Sequence, residues 1–147
     1  MYQRILVPTD GSKLSSKAVD HALQLADITG AEVVALRVIH RYPTTYFEGG
    51  MVLQADDSAQ IEKAWAEQAQ QELNRIKDLG QKRQVKVKTQ IIRSDLIAEA
   101  IMAAAKRSKC DLVIMASHGR KGIKRLLLGS ETQHVLTHCH VPILVLR

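Results

Sequence analysis

Apolar positions along the chain fall into five short runs, separated by longer stretches in which apolar residues recur at helical spacing. The runs are "RILVP" (4–8), "AEVVALRVIH" (31–40), "VKVKTQIIR" (85–93), "DLVIMAS" (111–117) and "VPILVL" (141–146). The second is almost unbroken in Val, Leu and Ile, as expected of a strand covered on both faces. In the third, Lys86 and Lys88 alternate with Val85 and Val87, the pattern of an edge strand guarded by charge. A helix is expected from about Ser12, with Leu14, Ala18, Ala22 and Leu25 on one face and Gly30 after its end. A long helix over about 57–79 buries Ile61, Trp65, Ala69, Leu73 and Ile76 and is closed by Gly80. A third, from about Asp95 to Ser108, buries Ile97, Ile101 and Ala105. The last opens at "SETQ" (130–133), which has the form of a capping box. Strands alternating with helices imply the α/β class, a doubly wound parallel sheet with helices on both faces.

Length and composition narrow this further. A chain of 147 residues with 46% hydrophobic side chains suits one globular domain, residues 1–147. No apolar run approaches the roughly 18 residues of a membrane span. "MYQRILVPTDGS" lacks the apolar stretch of a signal peptide, and Cys110 and Cys139 make no disulfide framework, so a cytoplasmic protein without a membrane partner is expected. Charge is uneven: residues 81–147 carry thirteen basic and four acidic side chains, whereas residues 1–40 carry four of each. A basic half invites an anionic partner, whether nucleotide, nucleic acid or membrane surface. Residues 41–56, with Pro43, Gly49 and Gly50, read as a long loop at the ligand end of the second strand, suited to gating a pocket.

In a doubly wound sheet, ligands sit beyond the carboxyl ends of the strands. Three segments are expected there: "PTDG" after strand one, the end of "RVIH", and "SHGRKGIKRLLLGS" (117–130). Gly119 and Gly122 let backbone amides approach a ligand. Gly129 and Ser130 lead into a helix N-terminus, where free N–H groups and the dipole favour phosphate. The hydroxyls of Ser130 and Thr132 are further donors, and Glu131 would repel a polyphosphate unless it points away. Neither GxxxxGK[ST] nor GxGxxG is present. "GRKG" matches the GxxG of KH modules, but there the loop joins two helices, whereas this one leaves a strand. His134 and His138, at i and i+4 beside Cys139 and His140, have a metal-compatible spacing, yet HExxH is absent and histidines at a helix C-terminus also suit the dipole. No metal site is assigned. Asp10 is the one carboxylate expected at the pocket and has no base or nucleophile beside it, which favours a binding module over an enzyme.

"ILVPTDGS", "RVIH", "DLVIMASHGRKGIKRLLLGS" and the terminal "VPILVLR" resemble the universal stress protein family, over essentially the whole chain. The family's nucleotide-binding branch carries Gly-x-x-Gly, nine residues, then Gly-Ser/Thr. Gly119, Gly129 and Ser130 fit, and Ala116 stands where the motif has its first glycine. The resemblance implies a strand order of 3-2-1-4-5 and ATP as ligand, with Mg²⁺, hydrolysed slowly or not at all. It implies adenine beside Pro8, Thr9 and Val38, ribose or metal at Asp10, and phosphates at Gly119, Arg120, Gly122, Gly129, Ser130 and Thr132, with Met115, Ala116 and Glu131 completing the site. Two alternatives stand beside this. One is a family member that has lost nucleotide binding through Ala116. The other is a nucleic-acid-binding module using the basic C-terminal half, disfavoured by an aromatic content of 3%, which leaves few stacking platforms. The last run has no lysine to guard it, so it is expected to pair with a second copy about a twofold axis, with the nucleotide sites outside the interface. The resemblance likewise implies a homodimer through this strand.

Overall fold

The computed structural model describes residues 1–41, 55–120 and 128–147. Along the chain run β1 (Arg4–Pro8), α1 (Lys13–Thr29), β2 (Glu32–Ile39), α2 (Ala55–Lys82), β3 (Val87–Arg93), α3 (Ile97–Arg107), β4 (Leu112–Ala116), α4 (Ser130–His138) and β5 (Ile143–Leu146). The strands form one sheet in the order β3-β2-β1-β4-β5, every neighbouring pair parallel. This is the order and direction expected. Helices cover both faces, so successive strand residues enter opposite cores. Ile5, Val7, Val33, Ala35 and Ile114 pack with α1 and α2, while Leu6, Val34, Leu36, Val113 and Met115 pack with α3 and α4. That double burial is why the runs of β1, β2 and β4 read as nearly unbroken apolar sequence. No helix among the described residues is long and apolar enough to cross a membrane.

Helix α1 starts where expected: Ser12 caps it by accepting from the Ser15 N–H, and Gly30 closes it with φ +74°. Its buried face is turned towards Ser15, Val19, Leu23 and Ala26, and Leu14 and Leu25 are only half-buried. Helix α2 departs further. It begins at Ala55, inside the span read as a loop, and runs through Gly80 rather than stopping there. The helix closes instead with Gln84 in the left-handed region at φ 58°, the Val85 N–H donating to the Gly80 carbonyl at 2.9 Å and the Gln84 N–H to Gln81 at 3.1 Å. Gly80 is buried against Val87, so its missing side chain serves packing. At about 1.5 Å per residue this helix is some 42 Å long, against roughly 26 Å for an eight-residue strand. Its N-terminal turns therefore overhang the carboxyl edge of the sheet. Trp65, expected in the core, is 37% exposed there, while Ala69, Leu73 and Ile76 are buried. The rest of the expected loop, residues 42–54, and its role as a gate lie outside the described residues.

The edge strand β3 is guarded as its sequence suggests. Lys86 and Lys88 converge with Arg4 on Glu32 of β2, Lys88 Nζ and Arg4 Nε each 3.2 Å from a carboxylate oxygen. Hydrogen bonds from Lys86 and Lys88, joined by one from Arg4, pull the Glu32 carboxyl down to about 2. A carboxyl lowered in the folded state adds stability that is complete above its unfolded value of 4.5 and lost as pH falls through about 2. Glu32→Gln should thus lower unfolding free energy by up to ~1 kcal/mol at neutral pH, the range of exposed ion pairs. Urea titrations should find the gap closing as pH drops from 4.5 towards 2; an undiminished gap at pH 2 would assign the loss to packing.

Candidate functional site

The turn after β1 braces itself. The Thr9 hydroxyl lies 3.0 Å from that of Ser15 and accepts from the Gly11 N–H, and Asp10 Oδ1 accepts from the Ser12 N–H at 2.9 Å. Gly11 sits at φ +77°, where an L side chain is strained. The second Asp10 oxygen reaches across the carboxyl edge and accepts from the Arg120 N–H at 2.7 Å. Burial raises the Asp10 carboxyl, but hydrogen bonds from Ser12, Arg120 and Ser15 outweigh it, leaving the group below its ordinary value and ionised. Gly119 faces the same carboxylate: a Cβ there would stand 2.8 Å from Oδ2.

The segment after β4 is pinned at both ends. The Ser117 N–H donates to Leu146, the Gly129 N–H donates back to Ser117, and the Thr132 hydroxyl donates to the Ala116 carbonyl at 3.0 Å. Helix α4 begins at Ser130 with Gly129 as its cap and no side-chain cap, so the expected capping box does not form. Among the described residues its first N–H groups therefore have neither an intrahelical nor a side-chain acceptor. Glu131 does point away: its carboxylate accepts from the Ala98 N–H at 2.9 Å and caps α3, whose own preceding residue, Leu96, offers no cap.

Among the residues expected to hold a ligand, Pro8, Thr9, Asp10, Gly119 and Arg120 meet at the ends of β1 and β4, and Gly129 and Ser130 open α4 beside them. Val38 packs half-buried at the end of β2 on the α3/α4 side. Three side chains are occupied elsewhere. Met115 is core, the buried Thr132 hydroxyl ties α4 to β4, and the Glu131 carboxylate serves α3. Gly122 lies outside the described residues. Ala116 ends β4 with φ outside the left-handed region, so alanine adopts this backbone without strain.

Two charged residues at the site were not anticipated. Glu72 of α2 lies 3.2 Å from Arg37 of β2 and 3.7 Å from Arg120. The signal for them, a carboxylate on the buried stripe of α2 one residue before Leu73 and an arginine inside an apolar strand, was legible, but the pairing needed the crossing of α2 over β2. Elsewhere, His134 pairs with Glu99 at 3.4 Å and stacks on His138. Among the described residues no three His, Cys, Asp or Glu side chains could hold a metal. Burial raises the Cys110 thiol to about 11, which keeps it protonated in the core.

A model of the universal stress protein family matches residues 1–147. The chain is 34% identical to universal stress protein MJ0531 of Methanocaldococcus jannaschii over 148 aligned residues, covering 100% of this chain and 83% of that protein. Against the solved structure of MJ0577, a universal stress protein of the same organism, it has a TM-score of 0.83 at 29% identity, covering 99% of this chain and 96% of the other. A universal stress protein solved in complex with cAMP shares the fold, with a TM-score of 0.65 at 24% identity, covering 99% and 97%.

Proposed function

The chain belongs to the universal stress protein family, and on that premise we propose that it binds ATP at the carboxyl ends of β1, β2 and β4 as a nucleotide-responsive module. The observation that carries the reading is the meeting of Asp10, Gly119 and Arg120 beside the uncapped N-terminus of α4. Backbone N–H groups of Ser130 and Glu131, with those around Gly119, supply donors for phosphate, the Arg120 guanidinium supplies charge, and Pro8 and Val38 supply apolar contact for the base. Asp10 is ionised and suits a ribose hydroxyl or a cation. With Glu72 held by Arg37 and Arg120, Asp10 does not make a cation site by itself, so Mg²⁺ would enter with the phosphates, the usual way this ion is held. The family member crystallised with cAMP supports adenine nucleotide as the ligand class for this fold. The hydroxyls of Ser12 and Ser15 are held within the turn that Asp10 braces, and the Glu72 carboxylate is paired with Arg37 and Arg120, which supports binding coupled to signalling as the reading. Calorimetric titration with ATP and Mg²⁺ tests it.

Charge placement favours a nucleotide over a nucleic acid. Lys86 and Lys88 are taken by Glu32, and Lys106 and Arg107 end α3 at the opposite edge of the sheet from Arg120. We infer a homodimer through β5. It is a sheet edge, and Leu144 is 41% exposed on it. Carbonyls of Pro142 and Leu146 accept from β4, so the backbone groups of Ile143 and Val145 face outward. Val145→Pro removes one outward N–H without touching the internal ladder. Light scattering at micromolar concentration should give a dimer for the natural chain and a monomer for the variant; a monomeric natural chain, or a variant that stays dimeric, would contradict the assignment.

A further inference from the structure

We propose that Glu72 on α2 sets the affinity of the site for phosphate-bearing ligands by competing with them for Arg120. The inference rests on the ATP-site reading and adds to it a residue from a helix outside the nucleotide motif. Glu72 stands between two arginines of different character. Arg37 is 14% exposed, its Nε lies 3.2 Å from Glu72 Oε2 without a directed hydrogen bond, and its Nη1 reaches the Thr9 carbonyl at 3.4 Å. Arg120 is 53% exposed, and its Nη2 lies 3.7 Å from Glu72 Oε1. The two groups meet over Gly11: a Cβ there would stand 2.6 Å from Arg120 Nη2 and 2.7 Å from Glu72 Oε1. Glycine at position 11 therefore serves two needs, the left-handed turn and the room for this ion pair.

The two halves of the cluster differ in how easily they part. Separating Arg37 from Glu72 would leave two mostly buried charges uncompensated, which is strongly unfavourable. Separating Arg120 from Glu72 exposes a charge already half in water and leaves Glu72 still paired with Arg37, so the exposed contact is the one that yields. A ligand phosphate that draws Arg120 must displace it from Glu72, whereas a ligand that does not engage Arg120 loses nothing.

The test is a calorimetric comparison of ATP and adenosine on the natural chain, Glu72→Gln, Arg120→Gln and the double variant. Glu72→Gln should bind ATP about two- to fivefold more tightly, the range of one exposed ion pair, with adenosine affinity unchanged. The gain should vanish in the Arg120→Gln background, and Glu72→Asp should fall between the natural chain and Glu72→Gln. A purely structural role for Glu72 would move ATP and adenosine together and would not depend on Arg120. ATP affinity unchanged or reduced in Glu72→Gln, where the natural chain binds ATP, would overturn this proposal alone. Failure of both proteins to bind ATP would overturn the ATP-site reading and this proposal with it.

Discussion

Replacing Gly80 with valine is expected to lower the unfolding free energy by about 2–3 kcal/mol, the range of overpacked cores. The position is buried in the last turns of α2, where a Cβ would overlap Val87 Cγ2 and lie 3.0 Å from the Val85 carbonyl oxygen. Neither neighbour can give way easily. Val87 opens β3 with a stiff β-branched side chain, and the Val85 N–H is bonded to the Gly80 carbonyl. Valine forms helix slightly better than glycine, which returns only a few tenths of a kcal/mol. Urea unfolding should show a lowered midpoint, and Gly80→Ala should fall between the two. A Gly80→Val protein as stable as the natural chain would mean that α2 does not seat against β3 as described.

The second large effect is on binding. Gly119→Val should weaken ATP binding by roughly ten- to a hundredfold while leaving thermal stability within a few degrees. A Cβ at this position stands 2.8 Å from Asp10 Oδ2, the oxygen that accepts from the Arg120 N–H. Valine must therefore push the carboxylate or the loop out of place, which on the proposed reading spoils charge-assisted hydrogen bonds to a phosphate, each worth ~1.5–3 kcal/mol. Gly119 is exposed and has no left-handed φ, so the fold itself has little at stake. A melting temperature that falls as far as the affinity would assign the loss to unfolding. Unchanged affinity would remove Gly119 from the site.

The sheet was legible because both its faces are covered: four nearly unbroken apolar runs and one charge-guarded edge run, with helical spacing between them, leave few other folds. Strand order was not in the pattern and came from resemblance to the family. The misreadings have specific causes. Gly80 looks like a helix stop, yet small residues at a close helix–strand contact carry the same letter. Ser130 looks like a cap, yet Gly129 takes that place and Glu131, which seemed ill suited to an anion site, caps another helix. Thr132 has the hydroxyl a phosphate site wants, but three residues into α4 it faces Ala116. That Asp10 and Gly119 come together at the carboxyl edge was legible from local motif. Glu72 and Arg37 were not, because their encounter depends on where a 28-residue helix crosses the sheet.

The central claim is that the carboxyl edge around Asp10, Gly119 and Arg120 is an ATP site, and isothermal calorimetry of the natural chain with ATP in the presence of Mg²⁺ tests it most directly. Saturable heat is predicted, with one site per chain and a Kd below ~1 mM, equivalent to more than about 4 kcal/mol of binding free energy. Absence of heat up to millimolar ATP, or the same isotherm from Gly119→Val, would contradict it.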